Sequence, residues 1–337
     1  MEGPPVITSA PEVAKEATAE PGSPLARVEE AQPSRAPSME ATAGSDPYDR
    51  FREAVTCYRH AEAYRYLVEA EAMGPVPQDL AYHCERTKMM NTMYRQLTDR
   101  LASITNPQTT SNWVKVEDKS IGAQVHYMME AKALVVHAVA YFELPTCDPL
   151  KVFAALREFD MAPEWVPYVT QCQDIDQPCN EIGYYQCTQT FSVGIKSLKM
   201  DSCQRRVYSD ALDEEIAALW FCGSSEAADA KEMDGKALPP PGKGVVRSPA
   251  SLAATVAPRK GGGTRFVFVS QGDVPFRIPD WILGVVCKFL VRGFVKGMKN
   301  MCENQELSRR MQSGPRAALY SKLGERLAAR KEVSPAA

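Results

Sequence analysis

The sequence predicts an α+β fold in which a curved antiparallel β-sheet wraps around a long C-terminal helix and encloses an apolar cavity. Between positions 113 and 271 most apolar residues recur with the period of two that is typical of strands. A helix predicted from Pro279 to Asn304 then presents one wide apolar face. A concave sheet crossed by one helix rarely fills its own interior, and the apolar space left over is the usual form of a small-molecule site.

Composition and charge are those of an ordinary globular protein. The chain has 337 residues, of which 45% are hydrophobic and 24% charged, and a formal net charge of −3, so no general attraction to nucleic acid is expected. Residues 1–45 are acidic and rich in Pro, Ala, Glu and Ser, which predicts a disordered tail. Residues 306–337 are basic and predict either a solvated tail or a contact with an acidic surface such as an anionic membrane.

Cysteine usage and the N-terminal residues favour a cytoplasmic protein. The ten cysteines form no CxxC pair, and no histidine lies at zinc-ligand spacing beside one, so no metal site is expected. The first residues lack the basic and apolar regions of a secretory signal. The most apolar window is interrupted by lysine and arginine, which a membrane span tolerates poorly. We therefore expect a cytoplasmic chain with reduced cysteines and transient membrane association.

A helical hairpin is predicted over residues 46–105. Asp46 and Pro47 are the residue types typical of a helix N-cap and first helical position, and a Gly-Pro pair ends this first helix. A second helix is predicted from about Pro77 to Ser103, because apolar residues recur there at spacings of three and four. The hairpin either docks a protein partner or braces the domain that follows, and the second interpretation is preferred.

The domain that follows is predicted over 106–305 and consists mainly of strands. The predicted strands begin near Trp113 and include the runs 125–129, 133–144, 168–176, 182–193, 203–210, 214–223 and 265–271, with a broken strand over 245–258. A short helix is predicted near 150–159, and an irregular loop over 224–245.

The predicted last helix has two chemically different faces. The apolar face carries Leu283, Cys287, Leu290, Phe294, Met298 and Met301. The opposite face carries Lys288, Arg292, Lys296 and Lys299. Trp281 and Val285 share the sector of these cations, so the first turn is either covered by a loop or meets a lipid interface. Gly293 and Gly297, at the edge of the apolar face, indicate either a close backbone approach or a site that must loosen.

Short motifs in a fixed order carry a resemblance to a known family. They are Asn112-Trp113, Glu164-Trp165-Val166-Pro167, Met200-Asp201, Arg205-Arg206, Gly244-Val245-Val246-Arg247 and Ile278-Pro279-Asp280-Trp281. Over about 107–304 they resemble the START family, the lipid-transfer domains related to steroidogenic acute regulatory protein. The resemblance implies the helix-grip fold, a tunnel that binds one sterol, phospholipid or ceramide, and a gate formed by the C-terminal helix and neighbouring loops.

Two positions depart from the family pattern. Met200 precedes Asp201 where the family has an arginine, and Cys187 stands where an acidic residue often pairs with the strand arginine. Arg206 would lack that partner if it pointed inward, and burying an unpaired guanidinium is costly. Arg206 is therefore expected to face solvent, unless an anionic lipid headgroup supplies the counter-charge.

Candidate site residues follow from the last helix and the resemblance. The residues predicted to line the cavity and lid are Leu283, Val286, Cys287, Leu290, Phe294, Met298, Phe191, Cys187, Arg206 and Arg247. The residues predicted to contact the membrane are Trp281, Val285, Lys288, Arg292 and Lys296. The cations of the second set would attract anionic headgroups.

These features predict non-catalytic binding and transfer or sensing of a single lipid. No GxSxG, Walker A or HExxH motif occurs, and no cofactor is implied. A phospholipid is favoured over a sterol, because an arginine in the cavity would suit its headgroup. One alternative is a lipid-regulated adaptor that acts through the helical hairpin. Another is an enzyme with a histidine–carboxylate pair in the cavity, formed by His126 or His137 with Glu130 or Asp201.

Overall fold

The computed structural model describes residues 46–105, 113–130, 132, 134–193, 196–214 and 218–333. The predicted N-terminal tail, residues 1–45, lies outside this part of the chain. The α-helices are α1 (Pro47–Thr56), α2 (His60–Met73), α3 (Ala81–Thr105), α4 (Pro149–Arg157), α5 (Ala162–Trp165), α6 (Asp280–Cys302), α7 (Gln305–Ser313) and α8 (Ala317–Val333). The strands are β1 (Val114–Asp118), β2 (Ala123–Glu130), β3 (Val135–Leu144), β4 (Val169–Cys179), β5 (Ile182–Val193), β6 (Lys196–Ala211), β7 (Ala218–Ser225), β8 (Glu232–Met233), β9 (Lys236–Ala237), β10 (Val246–Arg247), β11 (Ala250–Pro258) and β12 (Thr264–Asp273).

One large sheet organises the domain, and the α+β fold class is as predicted. Its strand order is β1-β2-β3-β12-β11-β7-β6-β5-β4, and the pairs along this path are antiparallel. The short strand β10 pairs with β6 in the parallel direction. Within the predicted 224–245 loop, β8 and β9 form a separate two-stranded hairpin. Strand β6 begins at Lys196, seven residues before the predicted start, so Met200 and Asp201 lie within the sheet.

The lid helix α6 lies along one face of the sheet, which we call the inner face. Its buried side chains are Leu283, Cys287, Val291, Val295, Met298, Met301 and Cys302. Leu290 and Phe294 are only half-buried, so the buried stripe is rotated from the predicted one towards Val291 and Val295. Inner-face strand residues such as Phe142 and Phe266 alternate with residues of the opposite, outer face, as expected for a pleated strand.

Helix α3 covers the outer face. Met90, Met93 and Leu97 pack there in one cluster with Trp220 and with valines of three strands, β3, β6 and β12. The predicted hairpin is in fact three helices, because the first predicted helix breaks at Tyr58, which has a left-handed backbone conformation with φ of 59°. The packing agrees with the bracing interpretation of residues 46–105.

The predicted basic tail at 306–337 is wrong for the residues up to Val333. They form α7 and α8, whose side chains join the main core: Leu307, Leu319, Tyr320, Leu323 and Leu327. Three arginines of this segment contact carboxylates of the domain. Arg310 and Arg316 bind Glu158, and Arg326 binds Asp210. The basic composition of this segment therefore reflects buried ion pairing.

Candidate functional site

The interior beneath the lid is apolar and, at its centre, filled. The ring of Phe294 lies 5.2 Å from that of Phe142, 5.5 Å from Phe266 and 5.4 Å from Trp165, measured between centroids. Phe268 follows at 6.3 Å. The sequence analysis placed Phe294 correctly on the lid, but the open space predicted under the middle of α6 is occupied by this aromatic stack.

A pocket of about 440 Å³ lies away from the predicted site. It opens between the turn Pro145–Pro149 and the hairpin that joins β11 to β12, next to Cys147 and Arg259. None of the residues predicted to line the cavity or lid borders it.

A ladder of polar side chains occupies the inner face of β6, which we call the Arg206 cluster. It consists of Ser202, Gln204 and Arg206, each at most 4% exposed. Arg206 Nε donates to Gln204 Oε1 at 2.9 Å, and Gln204 Nε2 donates to Ser202 Oγ at 2.7 Å. The expectation that Arg206 faces solvent is therefore wrong, because the strand register turns positions 202, 204 and 206 towards the interior.

The charge of Arg206 is stabilised mainly by aromatic rings. Its guanidinium carbon lies 3.2 Å from the ring centroid of Phe159 and 5.2 Å from that of Phe221, which is cation–π geometry. Within the described ranges no carboxylate forms an ion pair with Arg206. The carboxylate that would neutralise this guanidinium is thus missing, and an anion that entered the interior would meet a preformed positive charge.

Cys187 faces the same interior. It lies opposite Ser202 in the β5–β6 ladder and is fully buried. The Cys172 thiol donates to Cys187 and lowers the pKa of Cys187, and the positive charge of Arg206 lowers it further. Nearby, the Phe191 ring stacks on Tyr168 at 5.2 Å, and burial raises the pKa of Tyr168 to about 12. The structure therefore places Cys187 on the inner face with the Arg206 cluster, opposite Ser202, and places Phe191 beside Tyr168.

Arg247 is not a cavity residue, which corrects the prediction. Its Nη2 lies 2.8 Å from Asp201 Oδ2, and it also donates to the Pro239 carbonyl oxygen at 2.6 Å. Asp201 alternates with the inner-face residues of β6, so this ion pair belongs to the outer side of the sheet. The hydrogen bond to Asp201 raises the pKa of Arg247. Only Arg206 of the two predicted cavity cations faces the interior.

An apolar stripe on α6 faces solvent. Trp281 is 74% exposed, Val285 63% and Phe289 69%, and the three residues are spaced by four along one side of the helix. Phe276, in the segment before α6, is 51% exposed. The structure thus shows an uncovered first turn in place of the loop cover considered above. Phe289 was missed, although its spacing from Val285 is the signal that would have found it.

The cations predicted to contact the membrane differ in whether their charge is already paired with a carboxylate. Lys288 and Lys296 are exposed on the same side of α6 as the apolar stripe. Arg292 is exposed as well, but its Nε donates to Asp118 Oδ2 at 2.5 Å, so part of its charge is already neutralised. Arg277, which precedes the helix, adds another exposed cation.

The lid is held most closely at its C-terminal half. A Cβ atom at Gly297 would lie 1.9 Å from the Trp165 carbonyl oxygen, and one at Gly293 would lie 2.6 Å from Pro167 Cγ. Lys151 Nζ donates to the Cys302 carbonyl oxygen at 2.9 Å. The two glycines therefore serve the close backbone approach, the first of the two roles expected for them.

The remaining lid residues, Val286 and Leu290, are half-buried between the buried stripe and the exposed stripe.

In the part of the chain that the structure describes, no helix is long and apolar enough to cross a membrane.

The residues considered for catalysis do not meet in the interior. His126 and His137 alternate with inner-face residues of β2 and β3, and so belong to the outer face. His137 Nε2 lies 3.7 Å from Glu130 Oε2, whereas His126 contacts Gln124 and Asp201 binds Arg247. Among the described residues no group of three or more His, Cys, Asp or Glu side chains could hold a metal ion.

Comparison with solved structures identifies the same architecture in known proteins. The crystal structure of human STARD10 aligns with a TM-score of 0.50 at 13% identity, over 75% of this chain and 90% of that one. Human StAR-related lipid transfer protein 5 aligns with a TM-score of 0.50 at 12% identity, over 64% of this chain and 97% of that one. No family model and no curated protein sequence matches this chain. Sheet, lid helix and these alignments together show that the chain has the helix-grip fold of START lipid-transfer domains.

Proposed function

We propose that this protein binds a single lipid between the sheet and α6, and transfers or senses it at membranes without catalysis. The observation that carries the proposal is the double role of α6. One side of the helix roofs the apolar interior, and the other side exposes Trp281, Val285 and Phe289 next to Lys288 and Lys296. One human protein of this fold bears the name StAR-related lipid transfer protein 5. The proposal also draws on this likeness.

Entry of a lipid requires the lid to move. The half-buried Phe294 packs under the lid among four aromatic rings, so an acyl chain that enters there has to displace this ring. Exchanging ring–ring contacts for ring–acyl contacts trades one apolar environment for another, so its cost in hydrophobic free energy is small. A carrier of this kind needs an opening lid and a membrane contact, and no reactive groups.

The Arg206 cluster favours a lipid with an anionic headgroup over a sterol. A sterol offers one hydroxyl, which does not neutralise a guanidinium. A phosphate accepts charge-assisted hydrogen bonds from it and supplies the counter-charge that the described chain lacks. We therefore propose a phospholipid ligand whose phosphate lies against Arg206.

The membrane contact is proposed at the exposed stripe. A tryptophan and a phenylalanine are stable at the level of lipid headgroups, and each cation near an anionic surface contributes about 1 kcal/mol. Lys288 and Lys296 would supply this attraction, with a smaller share from Arg292 because of its contact with Asp118. We propose that the protein is located in the cytoplasm and meets the membrane transiently.

The experiment that tests ligand binding compares two neighbouring arginines. The purified full chain is extracted with organic solvent, and the recovered lipids are identified by mass spectrometry. Transfer of a fluorescent phospholipid between vesicles is then measured for the wild type, Arg206→Met and Arg205→Met. Arg205 is the matched control, because it pairs with Asp234 on the other face of β6.

Transfer of anionic phospholipid is expected to fall at least tenfold in Arg206→Met, on the order of the loss of one charge-assisted contact, and to persist in Arg205→Met. Recovery of no lipid, together with no transfer by the wild type, would contradict lipid binding. Recovery of a sterol with equal transfer by both variants would contradict the assignment of the headgroup alone.

The second candidate function is that of an adaptor, which would bind a partner protein through the helices of residues 46–105. Val68, Met73 and Tyr82 are 50%, 75% and 54% exposed, and together they offer apolar contacts to a partner protein. Deleting 46–105 would not test this role, because it would also uncover Trp220 and its neighbours on the outer face. Replacing Met73 and Tyr82 by serine leaves that packing intact, and loss of a partner without loss of lipid transfer would favour the adaptor.

A further inference from the structure

Two cysteines lie directly opposite each other on adjacent strands. Cys172 of β4 pairs with Cys187 of β5, in a regular stretch bounded by Gln171 with Thr188 and by Asp174 with Tyr185. Directly opposed residues of antiparallel strands have Cα atoms about 4.5–5.5 Å apart and side chains on the same face. A disulfide requires a Cα separation of about 4.4–6.8 Å. The register alone therefore brings this pair within bonding range.

The two thiols differ in environment in a way that suits oxidation. Cys187 is fully buried, whereas Cys172 is partly exposed. Donation from the Cys172 thiol and the charge of Arg206 lower the pKa of Cys187. A thiolate is the nucleophilic form of cysteine, and the partly exposed Cys172 stands opposite Cys187 to complete a bond.

We propose that Cys172 and Cys187 form a reversible cross-strand disulfide, which makes this part of the inner face a redox site that responds to small peroxides. In the first step the Cys187 thiolate attacks one oxygen of hydrogen peroxide, the O–O bond breaks, and the departing hydroxide takes up a proton to give water. Cys187 is then a sulfenic acid.

In the second step the Cys172 sulfur attacks the Cys187 sulfur, the S–O bond breaks, and the thiol proton leaves with the hydroxyl group as a second water. Each cysteine has lost one electron, and the peroxide has been reduced by two. A dithiol reductant reverses the reaction by thiol–disulfide exchange.

The bond would join the edge strand β4 to the interior of the sheet. Strand β4 is last in the strand order, and its pairing with β5 is irregular on both sides of Cys172. A covalent link at this position fixes the strand between those irregular stretches.

The test uses the full chain and hydrogen peroxide. Protein is treated with peroxide, remaining thiols are alkylated, and the digest is mapped by mass spectrometry without reduction. The expected product is one linked peptide pair that contains Cys172 and Cys187, lacks two hydrogen atoms, and separates on treatment with dithiothreitol. Cys172→Ser and Cys187→Ser should each abolish it. Cys203→Ser should not, because Cys203 lies on the neighbouring strand and faces the other side.

A second measurement does not depend on peptide recovery. The urea midpoint of the wild type should rise after oxidation and return after reduction, because a cross-link restricts the unfolded chain, whereas Cys172→Ser should show no rise. Linkage of other cysteines such as Cys147 with Cys302, oxidation of single cysteines without a cross-link, or an equal shift in Cys172→Ser would overturn the proposal. None of these outcomes depends on whether a lipid binds.

Discussion

Arg316 donates from a single nitrogen, Nη1, to both carboxylate oxygens of Glu158, at 2.9 and 2.8 Å, across 158 residues of sequence. Tyr320 adds a hydrogen bond of 2.6 Å to the same carboxylate, and Arg310 approaches it at 3.2 Å. The Glu158 side chain is only 3% exposed. One buried acid thus joins the α4 region to both C-terminal helices.

Glu158→Gln should destabilise the protein by about 3–5 kcal/mol, because it leaves the buried Arg316 without its counter-charge. The measurement is the free energy of unfolding in urea. The control is Glu325→Gln, since Glu325 is 60% exposed and forms its ion pair with Lys322 on the surface, where such pairs contribute about 0–1 kcal/mol. Equal losses in the two variants would show that the C-terminal helices are not held through Glu158.

Gly297→Ala should destabilise the protein, although alanine usually stabilises an α-helix by roughly 1 kcal/mol relative to glycine. The added methyl group would overlap the Trp165 carbonyl oxygen, which belongs to the backbone and cannot rotate away. The expected loss is about 1–3 kcal/mol or more, as for other overpacked sites, and it is measured by urea unfolding. Gly324→Ala in α8 is the matched control. Its nearest neighbour is the flexible Leu150 Cδ2 at 3.3 Å, so a change near zero is expected there.

His60 should make stability depend on pH in the acid range. Burial lowers the pKa of His60 from 6.5 to about 4, and neither ring nitrogen has a hydrogen-bond partner among the described residues. The unfolded state therefore binds the proton more tightly. Stability is fully present above pH 6.5 and is lost as pH falls from 6.5 towards 4, by about 3 kcal/mol.

The measurement is the unfolding free energy at pH 7 and pH 4 for the wild type and for His60→Gln. The variant should lose less stability between these two pH values, and the difference isolates His60 from the other titrating groups. Parallel pH profiles would refute the assignment.

Trp281 and Phe289 should govern binding to membranes. Burying such a side chain contributes about 1.5–3 kcal/mol, so the double alanine variant should bind anionic vesicles at least about tenfold more weakly. Vesicle sedimentation measures the affinity. Tyr82→Ala serves as the control, because Tyr82 is similarly exposed but lies on α3. Unchanged affinity in the double variant would place the membrane contact elsewhere.

The sequence was informative where local pattern and structure agree. Period-two alternation located the main strands, and a Pro-Asp pair before an apolar face located α6 within two residues of its bounds. The helical wheel also placed Trp281 and Val285 outside the apolar face of α6, although it left open whether a loop covers them. In each case residues close together in the sequence determine the local structure.

Long-range contacts explain the errors. Arg206 was expected outside because isolated burial of a guanidinium is costly, yet Phe159 and Phe221 from other elements stabilise it inside. Arg316 and Arg326 looked like part of a solvated tail because their carboxylate partners lie more than a hundred residues earlier in the sequence. Phe294 lies on the predicted face, but whether its ring fills the interior depends on strands β3 and β12.

The close approach of Gly297 to the Trp165 carbonyl oxygen fixes α6 near its C-terminal end. This contact is the pivot about which the rest of the helix would turn. Trp281 precedes Gly297 by sixteen residues, which corresponds to about 24 Å along a helix. Near Trp281 the helix rests on Tyr127, whose hydroxyl would lie 2.9 Å from a Cβ at Gly284. A bilayer that binds Trp281 would therefore act on the N-terminal end of α6. This end lies farthest from the pivot, so a given force produces the greatest torque on the helix there.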